Sequence, residues 1–146
     1  MQARADYYNA SPDAMKALIA LEVAVNKLGL EPSLLELVKL RASQINGCAF
    51  CVDTHTTDAR KAGETERRLH GVLVWRETPF FTERERAALA WTEALTQLSL
   101  THAPDADYAL LKANFNEKEQ ADLTLAIATI NAWNRFGVGF RKTPAL

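Results

Sequence analysis

Cys48 and Cys51 form a C-x-x-C-x-x-x-H cluster with His55, directly after Gly47, and Glu36 stands about three helical turns upstream. Together they offer a nucleophile, a resolving thiol, a base and a base-orienting acid, the set that thiol redox chemistry needs. On a helix each residue advances by about 100°, which puts Cys51 between Cys48 and His55 on one face. One turn also separates the two sulfurs by a span close to the roughly 5.5–6 Å Cα distance that disulfides favour. Gly47 sets both cysteines at or near a helix start, where free N–H groups and the helix dipole favour a thiolate. His55, at i+4 from Cys51, can take its proton, so Cys51 is assigned as the attacking thiol and Cys48 as the resolving one. If Gly47 turns a helical hairpin, Glu36 faces positions near 58, within about a turn of His55, and can fix the imidazole tautomer and carry protons.

The cycle follows from these parts. Cys51 thiolate attacks an electrophilic oxygen or sulfur, and with a hydroperoxide it becomes a sulfenic acid as alcohol or water leaves. Cys48 condenses with it to a disulfide, which an external dithiol reduces. No bound metal, flavin or nicotinamide is required.

Helices must position the cluster. Ser11-Pro12 starts one in which Leu18, Leu21, Val25 and Leu28 recur before Gly29. Pro32 opens a second that is apolar on nearly all sides up to Gly47; this predicts burial and places Glu36 among leucines, where its charge needs a partner. A third runs from Cys48 to Ala62 with Gly63 behind it, and Thr65 caps a fourth through about Trp75. Thr82 with Glu85 is a capping box before a helix in which Ala88, Trp91, Leu95 and Leu98 share a face. Asp105 starts a short helix through Ala113, and Asn116 with Glu119 repeats the box ahead of a last helix ending near Gly137. No run alternates apolar and polar residues, so the fold class is all-α, a bundle of about six to seven helices. Residues 1–10, the Arg76 to Phe81 connection and the tail after Phe140 are expected to be ragged.

A chain of 146 residues fits one domain over 1–146, and its net charge of −1 gives no bulk attraction to nucleic acid or an anionic membrane. The N-terminus lacks the apolar core of a signal peptide, and no apolar run is long enough to span a bilayer, so the expected address is cytoplasmic. Two cysteines at this spacing in that compartment imply a bond that forms in order to be broken. A short chain with largely apolar helices is also expected to bury more surface by homo-oligomerisation.

At Glu36, Gly47, Cys48, Cys51, His55 and Gly63 the chain resembles the alkylhydroperoxidase AhpD-like group of the carboxymuconolactone decarboxylase family, most strongly across residues 34–63 with the stretch RASQINGCAFCVDTH. The resemblance implies an antioxidant enzyme reducing organic hydroperoxides or peroxynitrite, with Cys51 peroxidatic, Cys48 resolving, and Glu36 and His55 as proton relay. It implies trimers or hexamers, and electrons arriving from the lipoyl group of an acyltransferase. One departure is Phe50, where some of those peroxidases carry histidine; without that imidazole, a disulfide or another electrophile becomes a rival oxidant.

Blander readings stand beside this one. Two buried cysteines can serve as small packing residues. Cys48, Cys51 and His55 could supply three zinc ligands, but a fourth would require His70 or His102 to swing in. Glu36 could instead be an ion-pair partner of Lys39 or Arg41. Trp75, Trp91 and Trp133 are expected in the core or at subunit contacts. A general dithiol-disulfide oxidoreductase and a non-enzymatic redox-sensing oligomer remain open alternatives.

Overall fold

The computed structural model describes residues 1–146. Nine α-helices and one 3₁₀ segment follow one another with no strand: α1 (Tyr7–Ala10), α2 (Pro12–Val25), α3 (Pro32–Asn46), α4 (Ala49–Lys61), α5 (Glu66–Gly71), the 3₁₀ segment Val72–Glu77, α6 (Glu83–Thr96), α7 (Leu98–Thr101), α8 (Asp105–Asn114) and α9 (Glu117–Gly139).

The leucine-rich pattern of α3, apolar on most of its sides, makes it the spine. It packs on α4, α6 and α9, and its leucines divide between two cores. Leu34, Leu35 and Val38 join Trp91 and Ile127, whereas Leu37 and Leu40 face Trp75 and Leu89. Each such side chain contributes roughly 1.5–3 kcal/mol by leaving water. At the end of α3, Gly47 takes φ 67°, where a side chain would be strained. Its N–H bonds the Gln44 carbonyl at 3.2 Å and the Cys48 N–H bonds the Ser43 carbonyl at 3.0 Å, the paired bonds of a Schellman turn. The chain thus folds back, and α4 begins directly above the end of α3. Both expected capping boxes are present, Thr82 with Glu85 on α6 and Asn116 with Glu119 on α9.

Several expectations need correction. The face shared by Ala88, Trp91 and Leu95 does not continue to Leu98: α6 ends at Thr96, Gln97 leaves helical geometry, and Leu98 opens α7 half-exposed. The helix capped by Thr65 stops at Gly71 and tightens into the 3₁₀ segment, kinked at Val74 with φ −123°. Of the first ten residues, 1–6 form no regular element and are exposed, but Tyr7–Ala10 form a short helix. Asp6 accepts from the N–H groups of Tyr8 and Asn9, and buried Tyr7 lies 5.2 and 5.4 Å from the rings of Phe136 and Phe140. A four-residue helix is too short to show a period, and tertiary aromatic contacts hold it. Only the start of the tail is tied in, with the Lys142 N–H on the Gly137 carbonyl at 2.9 Å, and residues 143–146 form no regular element. On α2 the expected apolar stripe is only half-buried at Leu18 and Leu21, while Met15 and Val25 go fully inside; α2 ends at Val25, so Leu28 lies in the turn beyond it, not on the helix.

Arg41 pairs with Glu93 rather than Glu36. Glu93 also takes Arg76 at 2.6 Å and the Trp75 indole N–H at 2.8 Å, which locks α3, α6 and the 3₁₀ segment together. Burial pushes the Glu93 carboxyl up, but the Trp75 bond and the two guanidiniums outweigh it and hold it below its ordinary value. A depressed carboxyl contributes stability that is fully present above the unfolded value of about 4.3 and is lost as pH falls through the folded one. Glu93→Gln is therefore expected to lower Tm at pH 7 and to flatten its decline below about pH 4.3. Parallel Tm profiles for the two proteins would contradict this.

Candidate active site

The Gly47 turn makes Cys48 the N-cap of α4 rather than its first residue, and the Cys48 sulfur accepts the N–H of Cys51 at 3.3 Å. The two sulfurs are bonded, with Cα atoms 5.3 Å apart, inside the range disulfides adopt. Both residues are buried, but they face different surroundings. Cys51 lines a cavity of about 300 Å³, and Cys48 does not. The helix start thus favours a thiolate at Cys48, while the route to a ligand leads to Cys51.

Behind Cys48 lies α9. A Cβ added to Gly137 would sit 2.6 Å from the Cys48 sulfur and 3.4 Å from that of Cys51, so only glycine lets this helix pass so close. Buried amides fix the approach: Asn134 donates to Ser43 at 3.0 Å, and Asn46 donates to Asn131 and Asn134, each at 2.9 Å. These bonds clamp α9 to the end of α3 and leave no buried polar side chain unpartnered.

Glu36 and His55 meet across the α3–α4 hairpin, with His55 Nδ1 2.9 Å from Glu36 Oε2. Both are largely buried and both line the cavity with Cys51. With Nδ1 directed at the carboxylate, Nε2 is the nitrogen left for proton exchange. Sequence reasoning missed what stands behind the carboxylate. Lys39 is 4% exposed, ion-paired to Glu22, hydrogen-bonded to Asn26 Oδ1 at 3.1 Å, and 4.0 Å from Glu36 Oε1. Glu22 on α2 and its C-cap residue Asn26 sit at i and i+4, a polar pair facing α3, but a lysine amid leucines gives no sign of partners until its charge is traced. Tyr7, Tyr8, Phe50 and Trp133 complete the cavity wall, which places Trp133 at the site and not in the core. Trp75 and Trp91 are in the core as expected.

For metals, the ligand atoms that gather within 4.8 Å are those of Glu36, His55 and Asp58. Of the three residues weighed as zinc ligands, Cys48 and Cys51 are bonded to each other and His55 Nδ1 faces Glu36. His70 is 81% exposed and beside Glu66, and His102 is exposed in a left-handed turn.

An all-helical fold that presents a C-x-x-C pair at a helix start, beside a carboxylate–histidine pair, defines the AhpD-like class. The profile of the carboxymuconolactone decarboxylase family matches residues 12–94, and the chain belongs to that family. It is 39% identical to the uncharacterized protein YdfG of Bacillus subtilis, over 99% of each chain. A crystal structure of a protein of unknown function from Agrobacterium tumefaciens, described as a candidate AhpD antioxidant defence protein, superposes with a TM-score of 0.96 at 47% identity, covering 99% of this chain and 100% of that one. The debrominase Bmp8 in its apo form shares the fold at a TM-score of 0.84 and 20% identity, covering 94% of this chain and 74% of that one. No helix of the chain is long and apolar enough to cross a membrane.

Proposed function

We propose that the protein is a thiol-dependent peroxidase that reduces organic hydroperoxides. The observation that carries this reading is one cavity holding the Cys51 sulfur and the Glu36–His55 pair, with the resolving partner bonded behind it. In the reduced protein His55 takes the Cys51 proton, and Glu36 holds the ring and stabilises the charge it gains. The thiolate attacks the distal peroxide oxygen, the O–O bond breaks, and the alkoxide takes a proton and leaves as alcohol; the sulfur becomes a sulfenic acid, oxidised by two electrons. The Cys48 thiol condenses with it, releasing water and forming the observed disulfide. An external dithiol restores both thiols and is itself oxidised to a disulfide. We infer a lipoyl-bearing protein as that reductant, and the steps above call on no bound cofactor. We also infer a cytoplasmic enzyme acting as a trimer or hexamer. Half-exposed Ile19 and Val23 on α2, with Leu98 and Leu100 on α7, supply the apolar surface that such an assembly would cover.

Glu36→Gln keeps the shape of the side chain and removes the charge that steadies the imidazolium. Peroxide-dependent oxidation of Cys51 is expected to slow by roughly 10²-fold, with an altered pH profile, as stopped-flow thiol kinetics can read. An unchanged rate and profile would remove Glu36 from the relay.

Phe50 in the cavity wall favours a second reading, a general dithiol-disulfide oxidoreductase, because it places no imidazole beside a peroxide oxygen. Turnover with a recycling dithiol separates the two: a peroxidase consumes cumene hydroperoxide faster than a model disulfide, an exchange enzyme shows the reverse order, and a redox sensor oxidises once and stops.

A further inference from the structure

The cavity that holds Cys51 is at the small end of the roughly 300–1,000 Å³ that ligand sites occupy. Its apolar part is aromatic, from Tyr7, Tyr8, Phe50 and Trp133, and burial raises the Tyr7 phenol above its ordinary value. Its charged part is uneven. Three carboxylates, Glu22, Glu36 and Asp58, stand against one ammonium, Lys39, and the His55 imidazole, so carboxylate stays in excess even when His55 carries the Cys51 proton. That ammonium is committed to Glu22 and Asn26 and is almost sealed from solvent, so it has no open side for a ligand anion. Two further cations border the cavity without lining it: Lys61, 3.7 Å from the Asp58 carboxylate and 74% exposed, and Lys142. Lys142 lies over the faces of Phe50 and Tyr8, 4.1 and 4.7 Å from their centroids. A ligand beside Cys51 therefore meets aromatic faces and a surplus of carboxylate in a partly desolvated space, where charge is felt more strongly than in water.

We propose that the Cys51 cavity selects compact, uncharged hydroperoxides bearing an aryl or branched apolar group, and discriminates against those that carry a carboxylate. The proposal rests on the peroxidase reading. The chemistry is the step given above: the peroxide is reduced to its alcohol and water, Cys51 and Cys48 are oxidised to the disulfide, and the external dithiol resets them. What the cavity adds is a choice among peroxides before the sulfur attacks. Fatty-acid hydroperoxides, long and anionic, fall on the disfavoured side on both counts.

The test uses the full-length reduced protein with cumene hydroperoxide and two para-substituted analogues, the carboxamide and the carboxylate. The two analogues match in size and differ in charge. Single-turnover thiol loss is expected to be roughly tenfold slower for the carboxylate than for the carboxamide at low ionic strength, and the gap should narrow as salt is added. Asp58→Asn, at a half-exposed position on α4 that tolerates a neutral side chain, is expected to narrow it by about two- to threefold. Equal rates for acid and amide, or a faster acid, would overturn the charge selection while leaving the peroxidase reading in place. Failure of all three peroxides to react, with both thiols shown accessible, would overturn the peroxidase reading and this proposal with it.

Discussion

Cys51→Ser is expected to lower hydroperoxide consumption by on the order of 10³-fold or more, because a serine hydroxyl offers peroxide no comparable nucleophile and no sulfur to oxidise. Cys48→Ser should behave differently. It keeps the cavity-lining sulfur and the Glu36–His55 pair, so the first step proceeds and stops at a sulfenic acid on Cys51 that dimedone labels. Mass spectrometry of the labelled variants locates the adduct. The contest is real in physical terms, since the N-cap position favours a thiolate at Cys48 whereas the cavity reaches Cys51. Retained peroxide consumption by Cys51→Ser, with the label on Cys48, would transfer the attacking role to the N-cap sulfur.

Gly137→Ala carries the second large effect, and its sign is the informative part. In an ordinary helix interior this change gains about 1 kcal/mol. Here the new methyl would stand 2.6 Å from a sulfur that the disulfide tethers and that cannot swing aside. The oxidised protein is expected to lose roughly 1–3 kcal/mol, the usual cost of overpacking. A free thiol can turn away from the methyl, so the reduced form should suffer less, and the disulfide–dithiol equilibrium should shift toward dithiol by about tenfold or more, each tenfold corresponding to about 1.4 kcal/mol. Thermal melts of both redox forms and equilibration against a glutathione buffer check this. A more stable oxidised variant would mean that α9 yields at Gly137 and does not hold the disulfide in place.

The parts legible in the sequence were those encoded locally. Capping boxes at Thr82 and Asn116, the Gly47 stop and the apolar run of α3 each declare themselves within a few residues, and each stands where expected. Glu36 opposite His55 was also within reach, because a helical hairpin with a known turn has a calculable register. What was missed depends on contacts between distant segments. Gly137 reads as a helix end in sequence, and its need for a missing side chain arises only where Cys48 passes it. Lys39 belongs to an apolar run, and its partners are on α2. Tyr7 and Lys142, from the two ends of the chain, are held by aromatic rings brought together by folding. The break after Thr96 falls in a stretch whose apolar spacing alone would continue the helix.

The central claim is that this chain reduces a peroxide with its own two thiols, and the most direct test is a single turnover of the fully reduced protein with cumene hydroperoxide and no reductant. Peroxide loss and free thiols are followed together. Rapid loss of one peroxide and two thiols per chain is expected, with the Cys48–Cys51 disulfide as product. Thiols that are accessible to a small alkylating reagent yet leave the peroxide unconsumed would contradict it, and would move disulfide exchange or redox sensing to the front.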